Sequence, residues 1–137
     1  MTTTMRAQDD LRIVQTGPPA IEQAQLMVQL MQLGAVSGAD EGYRILHSFE
    51  KPPTLAQLRR RHEPGTSEYA QVMSFLTQCE AVGTFVKNSI LDGALVHDMW
   101  AVAGAWTRCE KVCKGLRKES GEPRLFENFE MLASQSP

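Results

Sequence analysis

The sequence lacks a strong charge bias, a long hydrophobic run and a complete catalytic motif. Its 137 residues carry 14 lysines and arginines against 16 aspartates and glutamates, which gives a formal net charge of −2. That balance removes the general attraction to phosphates on which non-specific nucleic-acid binding depends. The most apolar segment, residues 26–33 (LMVQLMQL), is far shorter than the roughly 20 residues that a membrane span requires. The sequence therefore predicts no transmembrane segment and argues against nucleic acid as a partner.

Cysteines are few, and their number is odd: Cys79, Cys109 and Cys113. Residues 1–17 contain no apolar run of the kind found in secretion signals. An odd number of cysteines without such a signal indicates reduced thiols and a cytoplasmic location. The chain length suits one domain. We expect flexible tails at residues 1–17 and 134–137, on either side of a helical bundle domain at residues 18–133.

The sequence shows helical periodicity but no complete catalytic motif. We predict an all-α fold, a single-domain helical bundle with two long antiparallel helices and several shorter ones. The long helices are expected at residues 67–88 and from Asp92 to about Leu116, and the small residue Gly104 is expected to admit a close helix contact. The shorter helices are expected from Pro18 towards Gly34, from a Ser37–Asp40 capping box to Phe49, after an N-cap at Thr54, and from Pro123 onward.

The second half of the chain also resembles a known family. The segments CEAVGTFVKNSILDGALVHDMW, AWTRCEKV and PRLFENFEMLA, within Cys79 to Ala133, are similar to a bacterial family of small helical proteins called domain of unknown function 4760. The resemblance implies a helical fold, but it carries over no activity, cofactor or catalytic residue. Many members of that family have an amino-terminal membrane helix. The first helix here is Met-rich and striped with glutamines instead, so no membrane role follows.

Glu80 is the most informative polar residue, because it projects from the apolar stripe of the helix at 67–88. A buried carboxylate must be neutralised or paired, and Arg108 or Arg124 could supply a guanidinium. Such a pair could simply fix helix register. Alternatively, Glu80 could line a ligand pocket together with Arg108, Glu127 and Glu130.

Metal sites and reactive thiols are poorly supported by the sequence. The three histidines lack the spacing that places two metal ligands on one helical face, and the Glu-x-x-His pairs of di-iron bundles are absent. Cys109 and Cys113 share a helix face without a Cys-x-x-Cys motif, so we interpret them as small apolar core residues. We accordingly predict no metal and no cofactor.

Three functional hypotheses follow. The first is a non-enzymatic interaction protein that forms homo-oligomers, or binds another protein, through apolar residues of the first helix: Leu26, Met27, Leu30 and Met31. The second is a small-ligand-binding or catalytic bundle with its pocket around Glu80. The third is phosphate or nucleic-acid binding through the only concentrated basic run: Arg59, Arg60 and Arg61.

Overall fold

The structure is a computed structural model, and it describes residues 20–137. Within this range the chain is all helical, as predicted, and has no strand. The seven helices are α1 (Ala20–Ser37), α2 (Ala39–His47), α3 (Leu55–Arg61), α4 (Ser67–Lys87), α5 (Gly93–Met99), α6 (Val102–Ser120) and α7 (Glu127–Ser134). The predicted tail at residues 1–17 and the predicted helix start at Pro18 lie outside the described residues. Flexibility of residues 134–137 stays a prediction.

Side-chain caps explain where several helices begin. Thr54 and Gln57 form a complete capping box at the start of α3, and this confirms the predicted N-cap. The Thr66 hydroxyl accepts a hydrogen bond from the amide of Tyr69, and α4 then follows the predicted helix to within one residue of its end. Asp92 caps α5 by accepting from the amide of Ala94 over 3.0 Å. These short polar residues satisfy amides that would otherwise have no partner.

Two predicted helix starts were wrong. Helix α1 ends at Ser37, so the chain breaks within residues 34–38, where the two glycines predict a break; the φ of 87° at Gly38 lies in the left-handed region that favours glycine. Gly38 is also the N-cap of α2, so the predicted Ser37–Asp40 capping box does not form. The last helix begins at Glu127 rather than Pro123, after a turn that ends with Phe126 at a φ of 60°.

The predicted long helix from Asp92 is two helices. Trp100 and Ala101 adopt non-helical backbone conformations between α5 and α6, although neither residue is a usual helix breaker. The closest backbone neighbours of α4 are α2 and α7, rather than α5 or α6. Two long helices, α4 and α6, are present, and their antiparallel packing stays a prediction.

Glycines allow α4 to approach both neighbours closely. A Cβ on Gly42 of α2 would overlap the carbonyl of Gln71, and a Cβ on Gly83 of α4 would overlap the carbonyl of Asn128. The predicted close contact at Gly104 is wrong, since nothing lies within 4 Å of the place where its Cβ would be. Beside the Gly83 contact, the buried rings of Trp106 and Phe129 meet edge to face with centroids 5.1 Å apart.

Replacing Gly83 by alanine should therefore lower the free energy of unfolding by about 1–3 kcal/mol, the usual cost of overpacking a close contact. The matched change Gly104→Ala, on an exposed and open stretch of α6, should raise it by up to about 1 kcal/mol through helix propensity. Urea unfolding midpoints compare the two variants. Similar effects of both substitutions would contradict the backbone contact at Gly83.

Candidate functional site

Glu80 binds the beginning of α7. Its Oε1 atom accepts hydrogen bonds from the backbone amides of Asn128 (2.9 Å) and Phe129 (3.0 Å). Its Oε2 atom accepts from the side-chain amide of Asn128 over 2.9 Å, and that same amide also donates to the Thr84 hydroxyl over 3.1 Å. The carboxylate of one helix thus acts as the cap of another.

The local backbone explains why α7 needs this external cap. Its N-cap position is Phe126, which has no side chain able to accept a hydrogen bond. The first amides of a helix have no partner within the helix, and they carry the positive end of its dipole. A carboxylate accepts hydrogen bonds from these amides, and its negative charge is attracted to the positive end of the dipole. Gly83, one turn further along α4, has no side chain, so α7 can come close.

The other three predicted ligand residues do not join Glu80. Arg108 donates from Nη1 to the carbonyl of Phe49 over 3.0 Å and lies near His47. Burial, and secondarily Arg108, lower the pKa of His47. Glu127 forms a surface ion pair with Arg124 at 2.8 Å. The predicted pairing of Glu80 with Arg108 or Arg124 is therefore wrong, and the backbone amides of α7 take the place of the guanidinium.

Glu130 forms a separate ion pair. Its Oε1 atom lies 2.8 Å from Nη2 of Arg117, a contact that satisfies the distance but not the alignment of a hydrogen bond. Arg117 is also fixed through Nε, which donates to the carbonyl of Leu125 over 2.7 Å. Glu130 therefore fastens α7 to α6. No hydrogen bond or ion pair described for residues 20–137 joins Glu80 to the other three predicted residues.

The three arginines of the predicted basic patch do not share one binding point. Arg59 donates to both carboxylate oxygens of Glu119 and to the hydroxyl of Tyr69, and this pairing lowers the pKa of Glu119. The guanidinium of Arg61 stacks over the Phe49 ring, 3.8 Å from its centroid. Arg60 is exposed. No described contact gathers the three guanidinium groups around one anion-binding point.

The cysteines are free thiols that pack within the helices. Burial raises the pKa of all three, that of Cys113 to about 12, so the thiolate is scarce at neutral pH. Within residues 20–137, no group of three or more His, Cys, Asp or Glu side chains is placed to hold a metal ion.

The predicted interface residues of α1 separate into two groups. Met27 and Leu30 are only 2% and 5% exposed, because they pack against the core, and Leu26 is partly buried. Met31 is 49% exposed. Met27 and Leu30 are thus core residues of this chain and are not accessible to a partner, a correction to the predicted surface.

A cleft of about 440 Å³ lies where α2, α4, α6 and α7 meet the break between α5 and α6. Its walls are mainly aromatic and aliphatic, and four polar residues line it: Asp40, Tyr43, Arg44 and Gln78. The sequence did not predict it, because the cleft depends on the break at Trp100–Ala101, and no glycine, proline or capping side chain marks that break. We call it the α2–α4 cleft.

The sequence profile of a family described as a domain of unknown function (DUF4760) matches residues 22–136. The chain belongs to this family. The predicted resemblance, from Cys79 to Ala133, is therefore correct but too short, since the DUF4760 match begins in α1. No curated protein and no solved structure gave a significant match. Separately, no helix within residues 20–137 is long and apolar enough to cross a membrane.

Removing the Glu80 cap should destabilise this DUF4760 domain. Glu80→Ala leaves two backbone amides without their acceptor and leaves the Asn128 side chain with the Thr84 hydroxyl alone, and we expect a loss of about 1–3 kcal/mol in the free energy of unfolding. Glu80→Gln should lose less, because one amide oxygen still accepts from the backbone while its NH₂ group opposes the Asn128 amide. Chemical denaturation measures both.

Glu127→Gln is the matched control, since it removes a first-turn carboxylate of α7 whose ion pair with Arg124 lies at the surface. Its effect should be clearly smaller than that of Glu80→Gln. If the two glutamines behaved alike, the cap would not contribute to stability as described.

Proposed function

We propose that the protein is a non-enzymatic helical interaction protein that self-associates through the solvent-facing side of α1. The observation that carries this proposal is a row of exposed apolar residues along that helix, in which Ile21 is 74%, Val28 is 52% and Met31 is 49% exposed. Large apolar surfaces of this kind are typical of interfaces. With the exposed Ala24 and Ala35 they form a row that we call the outer seam.

The spacing of the outer seam favours a helix as the partner. Its residues, 21, 24, 28, 31 and 35, follow alternating steps of three and four, the pattern with which coiled-coil helices pack. Ile21 and Val28 occupy equivalent positions of the repeat, and β-branched residues there favour two-stranded pairing. The small side chains of Ala24 and Ala35 allow a second helix to come close.

Charge along α1 favours a second copy of the same chain. Glutamines 25, 29 and 32 border the outer seam, and Glu22 is the only charged residue in the helix. Two copies can therefore meet without like-charge repulsion, and the neutral glutamines can hydrogen bond across the contact. A symmetric dimer is the simplest assembly for one self-complementary face.

A cytoplasmic location belongs to the same proposal. All three cysteines are free thiols, which suits a reducing compartment.

The test is the mass in solution over a range of concentrations, measured by sedimentation equilibrium. The wild-type protein should reach twice the 15.2 kDa of one chain. Val28→Glu combined with Met31→Glu should weaken the dimer by about a hundredfold or more, because each seam would bury carboxylates without partners. Helix content, checked by circular dichroism, should stay the same because both positions are exposed.

Ile90→Glu is the matched control, since Ile90 is an exposed apolar residue outside α1. That variant should dimerise like the wild type. A wild-type protein that stays monomeric at high concentration, or a double variant that still dimerises, would refute self-association through the outer seam.

A further inference from the structure

We propose that the α2–α4 cleft binds a primary or secondary amine with an apolar body, held in its ammonium form. This second activity does not depend on self-association, because none of the residues that line the cleft belongs to α1. Its volume of about 440 Å³ falls within the range of small-molecule sites, which is about 300–1,000 Å³.

The side chain of Gln78 has a hydrogen-bond acceptor that lacks a donor among residues 20–137. The side-chain amide of Gln78 donates from Nε2 to the carbonyl of Leu30 over 2.9 Å, and that bond fixes which end of the amide is oxygen. Oε1 is then buried with no hydrogen-bond partner among the described residues. A buried acceptor of this kind costs free energy until a donor reaches it.

The charged residues of the cleft lining favour a cationic ligand. Asp40 and Arg44 are the two charged side chains that line the cleft. Arg44 is paired with Glu41, one turn earlier on α2, whereas Asp40 makes no ion pair among residues 20–137. Asp40 is therefore the charged residue of the lining that has no ionic partner among residues 20–137, and a cation is the complementary ligand.

The two acceptors lie close together. The point that a Cβ on Gly34 of α1 would occupy is 2.8 Å from Oδ1 of Asp40, 3.2 Å from Nε2 of Gln78 and 3.5 Å from Oε1 of Gln78. Asp40 and Gln78 therefore meet beside the same residue, and an ammonium group, with up to three N–H donors on a compact centre, suits neighbouring oxygen acceptors. The negatively charged oxygens of a carboxylate or phosphate ligand would instead be repelled by both of these acceptor oxygens.

The walls suit the rest of such a ligand. Tyr43 and Phe75 meet edge to face with ring centroids 5.0 Å apart, and both line the cleft with Trp100 and Phe129. Aromatic faces attract a nearby cation and also accept an apolar body. Together these features point to an arylalkyl or alkyl ammonium compound.

The test uses three probes of similar size and different charge: 2-phenylethylammonium, 3-phenylpropanol and 3-phenylpropionate. Each is titrated into the protein while amide and indole NMR signals are followed. The ammonium should bind saturably, with shifts concentrated at the Gln78 side-chain amide and the Trp100 indole. The alcohol should bind at least about tenfold more weakly, since it lacks the charge-assisted hydrogen bonds.

Asp40→Asn should weaken binding of the ammonium probe by about tenfold or more and leave the fold intact, because Asp40 is exposed. Asp98→Asn makes the same change in net charge at an exposed position outside the cleft lining, and it should bind like the wild type. The proposal is overturned if the propionate binds as tightly as the ammonium, if none of the probes binds, or if the two asparagine variants behave alike.

Discussion

The carboxylate of Glu80 joins α4 to α7 through three hydrogen bonds, two from the backbone amides of Asn128 and Phe129 and one from the Asn128 side chain. The side chain of Phe126 cannot cap α7, and Glu80 supplies the acceptor for the amides of Asn128 and Phe129 instead. The contact is short because Gly83 removes a side chain from the same surface of α4. A buried hydrogen bond of this type contributes roughly 1–3 kcal/mol when its loss would leave amides unpaired. The position of Phe129 in the core follows from it.

The close packing of α7 on α4 also positions the α2–α4 cleft. Helix α4 holds α2 through Gly42 and α7 through Gly83, and the α2–α4 cleft lies beside the helices so held. The acidic and basic residues that a catalytic bundle would use are committed to caps and ion pairs. The proposed functions accordingly rest on the α2–α4 cleft and on the outer seam of α1.

More of the fold than of the candidate sites can be predicted from the amino-acid sequence. Thr54, Thr66 and Asp92 begin helices because their side chains reach amides within one turn, and such local signals can be found in a sequence. The break at Trp100–Ala101 has no local signal. The glycine contacts were also missed, because a helical glycine at 83 and one at 104 look alike until the neighbouring helix is known.

The candidate sites depended still more on tertiary contacts. Glu80 was recognised as a carboxylate that needs a partner, but the partner is a pair of backbone amides, which every sequence contains and no sequence pattern marks. Likewise, the apolar residues of α1 surround most of the helix, so periodicity alone could not show that Met27 is buried and Val28 exposed. The burial of one face becomes known only when the neighbouring helices are in place.

Amide hydrogen exchange at Asn128 and Phe129 tests most directly whether Glu80 is a structural cap. We expect both amides to be protected in the wild-type protein and to lose more of that protection in Glu80→Ala than the amides in the middle of α4 lose through the lower global stability of the variant. Equal exchange at Asn128 and Phe129 in the two proteins would contradict this expectation, and would return Glu80 to the list of groups free to bind a ligand.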